Sequence, residues 1–74
     1  MAVETAQMFL KRLDHEQTLR TQLYISNPKG MDQFLQFAHG KGFIFEKEDL
    51  NLALNQNHSE KLIGLKQQLL EDPS

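Results

Sequence analysis

Apolar residues recur along this chain at steps of three and four, the spacing that gathers side chains on one face of an α-helix. Val3, Ala6, Leu10 and Leu13 form the first such stripe, and Phe9 joins Ala6 and Leu13 along its edge, so the chain is expected to open on an amphipathic helix. Asp14 followed three residues later by Gln17 has capping-box spacing, which predicts a second helix from about His15. Leu19 and Leu23 are its inward residues, with Tyr24 and Ile25 near its end. So narrow a stripe leans on its neighbours.

Ser26-Asn27-Pro28 closes that helix, because a residue before proline avoids the α region, and the same Asn-Pro pair is expected to start the third helix as N-cap and first helical residue. Met31, Leu35 and Ala38 share a face that Phe34 broadens, and the helix runs to roughly Lys41. Gly30 falls in its first turn, and Gly42 or Gly40 supplies the left-handed residue that ends it. In Phe43-Ile44-Phe45 an extended backbone points both rings the same way, as wedges between helices. A fourth helix starts near Lys47, with Glu48 and Asp49 at the positive end of its dipole, and buries Leu50, Ala53 and Leu54. Asn55-Gln56-Asn57-His58 interrupts the pattern. Ser59 then caps a last helix striped by Leu62, Leu65 and Leu69 and widened by Ile63 and Leu70, with Pro73 beyond its end.

These segments predict an all-α fold, a small compact bundle of four to five short helices. Seventy-four residues at 39% hydrophobic leave room for one small domain, whose single core supplies only about 3–5 kcal/mol net. With no cysteine, neither disulfides nor a thiolate metal site reinforces it, so helix packing must. Eight Lys and Arg against ten Asp and Glu give a net charge of −2, with only Lys11-Arg12 as a basic pair, which argues against nucleic-acid binding. The start of the chain lacks a cationic stretch leading into an apolar run, and nowhere do about 18 apolar residues follow one another, so no membrane is involved and a cytoplasmic location is expected. The glycosylation pattern at Asn57-His58-Ser59 reads as a helix boundary.

Candidate chemistry is sparse. His15, His39 and His58 lack the spacing that sets two ligands on one face; His15 and His58 fall at predicted helix starts and His39 in a final turn, so no metal and no cofactor is expected. Glu46, Glu48 and Asp49 could suggest a cation site, but a helix N-terminus explains them more simply. Gly40-Lys41-Gly42 follows a helix, not a strand, and reads as a helix stop instead of a phosphate loop. Phe9, Phe34, Phe43 and Phe45 fall on inward faces, with Phe37 less well placed, which leaves no stacking platform for bases. No nucleophile arrangement is recognisable, so no catalysis is expected. What remains is surface. Met8 and Leu52 lie off their helices' main stripes, and Leu62, Leu65 and Leu69 are more leucine than a lone surface helix needs. These five residues form a candidate partner surface. The simpler reading folds the last helix back over the first two, and its stripe could equally close a homodimer, so monomer and homodimer both stay open.

Glu4-Thr5-Ala6, Phe9 to Leu13, Leu19-Arg20, Leu23, the run Phe34 to Ala38 through Gly42-Phe43, and Phe45 with Glu48-Asp49-Leu50 and Ala53-Leu54 together resemble the Nif-eleven domain family. The resemblance covers about the first fifty-five residues and divides the chain into a Nif-eleven-like helical domain at 1–56 and an amphipathic helix with a short tail at 57–74. It implies a small helical domain of nitrogen-fixing bacteria and cyanobacteria with an undefined biochemical role. In one branch such a domain is the leader of a ribosomally made peptide, held by a modifying enzyme while a C-terminal core is altered and then cut after a double glycine. Here Gly64 is followed by Leu65, and beyond the matching region only Ser59 and Ser74 carry hydroxyls, so a stand-alone member is expected. The expected function is a non-enzymatic module that binds an unidentified protein, with the alternative of a leader-like substrate of a peptide-modifying enzyme.

Overall fold

A single phenylalanine ring organises the helices. The structure, a computed structural model, describes residues 2–57 and 59–70. Its first helix, α1 (Val3–His15), buries Ala6, Phe9, Leu10 and Leu13 on the stripe that the sequence pattern predicts. Phe9 lies at the centre: the rings of Phe43, Phe34, Phe37 and Phe45 stand 5.1, 5.5, 6.1 and 6.1 Å from it, tilted or edge-on. Such pairs add roughly 0.5–1.5 kcal/mol each beyond the area they bury.

The second helix, α2 (Gln17–Ser26), begins two residues later than expected. Asp14 does not cap it, because α1 continues through His15 and the Asp14 carboxylate accepts a hydrogen bond from Ser59 Oγ at 2.6 Å. Arg20 reaches back to donate to the Leu13 and Asp14 carbonyls at 2.7 and 2.6 Å, which satisfies the end of α1 and sets the angle between the two helices. His15 therefore ends a helix and does not start one. Leu23 is buried and Leu19 partly so, which leaves α2 the narrow contact that its stripe implies.

The third helix, α3 (Met31–Gly40), also starts late. Asn27 adopts the left-handed conformation, φ 49° and ψ 60°, and closes α2 as its C-cap, so it is not in the extended conformation that an N-cap of α3 requires. Gly30 takes the N-cap position, while Lys29 N–H donates to the Gln33 side chain at 3.0 Å. Phe34 and Ala38 are buried, with Met31, Leu35 and Phe37 packed at the core's edge. Gly42 at φ 92° is the left-handed residue that ends α3, as expected. Gly42 N–H donates to the His39 carbonyl and Phe43 N–H to the Ala38 carbonyl, both at 3.0 Å, the paired bonds of a Schellman motif.

That turn delivers both Phe43 and Phe45 to the Phe9 ring while Ile44 faces solvent, so the extended wedge is as predicted. The fourth helix, α4 (Lys47–Gln56), buries Leu50, Ala53 and Leu54. The buried Asp49 carboxylate accepts from Glu46 N–H at 3.0 Å in a capping box, so its acidic cluster is a helix start. A 3-10 turn (Glu60–Leu62) lies on α1 and leads into α5 (Ile63–Leu70). Leu62 and Leu69 enter the core and Leu65 packs at its edge. The radius of gyration, 10.9 Å, matches the roughly 11 Å of a closed domain this long, as a last helix folded onto the bundle requires.

Phe9→Ala is expected to cost about 3–5 kcal/mol, as much as the whole core supplies, and so to abolish the cooperative thermal transition in far-ultraviolet circular dichroism. Gly42→Ala is expected to cost about 1–2 kcal/mol in urea denaturation, from backbone strain alone, because an added Cβ would meet nothing within 4 Å. An unchanged urea midpoint would show that the left-handed turn is not needed.

Candidate partner-binding surface

The end of α2 turns a helical stripe inside out. Leu19 and Leu23 already fill its inward face, so the next two residues are carried around the helix to the solvent side. Tyr24 is 84% exposed and Ile25 80%, the most exposed large apolar residues of the described chain. Tyr24 lines a groove of about 470 Å³ together with Arg20, Leu23, Asn27, Pro28, Leu62, Gly64 and Leu65. Its walls come from α2 and the link to α3 on one side, and from the 3-10 turn and α5 on the other. Its one cation, Arg20, is committed to the carbonyls that end α1, so the groove offers apolar contact more than charge.

The candidate residues chosen from sequence separate in space. Leu62 and Leu65 line this groove. Leu69 lies at the far end of α5, beside Met31, Glu46, Lys47, Glu48 and Asn51 in a second groove. Met8 on α1 and Leu52 on α4 are 60% and 40% exposed and line neither. Sequence reasoning missed Tyr24, Ile25 and Pro28. The signal for the first two was present, since a helix whose inward stripe is complete at Leu23 cannot also bury the two residues that follow.

The remaining constellations are structural. His39 Nε2 is hydrogen-bonded to the Phe45 carbonyl at 3.1 Å, which ties the end of α3 to the aromatic wedge. Lys41 Nζ lies 5.4 Å from the centre of the Phe37 ring and hydrogen-bonds Gln22, and the Arg12 guanidinium lies 5.8 Å from that of Phe43 while pairing with Glu16 at 2.7 Å. These cations cover the aromatic cluster from outside. Among the described residues no group of three or more His, Asp or Glu is placed to hold a metal ion, and no helix is long and apolar enough to cross a membrane. His58 lies outside the described residues.

The fold is a small all-α domain of five α-helices among the described residues, closed around an aromatic core and carrying an apolar groove on one side. A model of the Nif11 domain matches residues 1–50, from α1 into the first turn of α4, and the chain belongs to that family. No curated protein and no solved structure matches it.

Tyr24→Ala and Ile25→Ala should each leave the urea midpoint within about 0.5 kcal/mol of the parent, because neither side chain is buried. A larger loss for either would place that residue in the core and remove it from the candidate surface.

Proposed function

We propose that this Nif11 domain protein is a non-enzymatic, cytoplasmic protein-binding module that docks a partner protein in the groove between α2 and α5. The observation that carries the reading is that exposed Tyr24, followed in sequence by exposed Ile25, lines a groove walled by Leu23, Pro28, Leu62 and Leu65. A protruding aromatic residue beside an apolar recess has the composition of an interface centre, where tyrosine supplies large contact area at low entropic cost. The groove brings no arrangement of nucleophile, base and orienting group to one place, which fits a binding role better than a catalytic one.

The second reading is a leader-like domain recognised by a peptide-modifying enzyme, and the family match over residues 1–50 favours it. Both readings use a protein-binding surface; they differ in whether the chain is itself changed. The full chain recovered from its native cell with its bound proteins and weighed intact separates them. The module reading expects an unaltered mass and a partner whose recovery falls at least about tenfold with Tyr24→Ala and Ile25→Ala combined. Recovery of a modifying synthetase together with a mass shift on the chain would overturn it in favour of the leader reading.

A further inference from the structure

The last helix, α5, lies against the bundle, and its described contacts hold it at few points. At its entry Ser59 Oγ donates to Asp14 Oδ1 at 2.6 Å and the 3-10 turn rests on α1. Leu62 and Leu65 then stand beside Leu23 and Pro28, and Leu69 lies beside Met31 and Asn51 of α3 and α4. The apolar anchors are thus the buried Leu62 and Leu69, seven residues apart, with half-buried Leu65 between them. By contrast, the largest fully buried side chains, Phe9, Phe34, Leu10, Leu13, Leu50 and Leu54, all belong to α1, α3 and α4. The centre of the core is closed by those helices themselves.

The helix is also weak in its own right. α5 has 8 residues, below the roughly 12–15 that an isolated helix needs. Gly64 sits in its first turn, where glycine is among the poorest helix formers. Ser59 makes no side-chain cap to the helical segment it precedes, since its hydroxyl is spent on Asp14. Open grooves of about 470 and 710 Å³ flank the helix at its two ends, so its packing is less complete than that around Phe9. A short, glycine-bearing helix whose described anchors are the buried Leu62 and Leu69, the half-buried Leu65 and one hydroxyl contact belongs to the part of a structure that opens locally before the whole unfolds.

We propose that residues 59–70 form a displaceable strap over an apolar channel of the α1–α4 body, and that the strap's competitor is an amphipathic helix of a partner protein with apolar residues at the same i, i+3, i+7 spacing. The strap itself defines that chemistry: two sockets filled by leucines seven apart, a shallower contact between them, and the Asp14 carboxylate at one end as acceptor for a hydroxyl or amine. The groove beside Tyr24 is the opening through which a competitor gains its first contact. While the strap is closed the apparent affinity for a partner is reduced by the fraction of chains that are open, so residues 59–70 set the threshold for binding. The choice of a protein helix as second occupant rests on the docking function proposed above, whereas strap opening is a property of the free chain.

Amide hydrogen exchange on the full chain tests the opening. The α5 amides are expected to be protected at least about tenfold less than those of α1 and α4. Gly64→Ala, whose added Cβ meets nothing within 4 Å, should raise α5 protection about fivefold without changing that of α1. A labelled synthetic peptide of residues 57–72, added to the full chain, should bind, bind about fivefold more weakly to the Gly64→Ala protein, and lose binding when it carries Leu62→Ala and Leu69→Ala. Exchange of α5 only at the rate of global unfolding would overturn the strap, as would a peptide that fails to bind a chain whose α5 opens. If α5 never opens while the Tyr24 and Ile25 substitutions still abolish partner recovery, the strap fails and the docking groove survives.

Discussion

The burial of the Phe9 ring among four other phenylalanines is the constraint on which the rest of this structure depends. A chain of 74 residues without cysteine has no covalent staple to offset the entropy of folding, so its stability must come from packing. One aromatic ring on α1 meets Phe34 and Phe37 from α3 and Phe43 and Phe45 from the segment that follows it. The left-handed turn at Gly42 is what lets both sides of the chain reach that ring. Three local features thus serve one contact: the end of α3, the extended wedge, and the capping box that starts α4 immediately after it.

The periphery is organised by hydrogen bonds between neighbouring elements. Arg20 satisfies the last carbonyls of α1, His39 holds the wedge through the Phe45 carbonyl, and Ser59 ties the last segment to Asp14. Each joins one element to another, and the bonds from Arg20 and His39 do so at backbone carbonyls that would otherwise lack partners. The same division separates candidate function from core. The aromatic centre is filled by Phe9 and Phe34, both fully buried, whereas the apolar groove lies where α2, the Asn27-Pro28 link and α5 meet at the margin. Membership of the Nif11 domain family is carried by residues 1–50, which include the whole aromatic cluster, while α5 lies beyond the match. The part that supplies one wall of the groove is therefore the part that the family pattern does not describe.

Legibility in the sequence followed the range of the interaction. The buried residues of α1 and α4, the wedge, and the glycine that ends α3 could all be read from spacing, because each depends on backbone periodicity or on a conformation that favours glycine. The starts of α2 and α3 were misplaced because capping residues have more than one use. Asp14 has the type and spacing of an N-cap, yet Ser59, 45 residues away, takes its carboxylate. Asn27 precedes a proline as an N-cap often does, yet it closes the helix before it. In the groove, Leu62 and Leu65 could be chosen from sequence as apolar residues in excess, but Pro28 could not, since its place in the wall depends on how α5 crosses the link between α2 and α3.

By itself, then, the sequence determined the helical class, the residues that would seek a core and the absence of any staple, because periodicity and composition act along the chain. Only the tertiary structure decided which partner Asp14 accepts, where Tyr24 and Ile25 stand, and that the last helix lies across the bundle with two of its leucines inside. Those outcomes turn on contacts between residues distant in sequence, and a local pattern holds no record of what a side chain will meet once the helices close on Phe9.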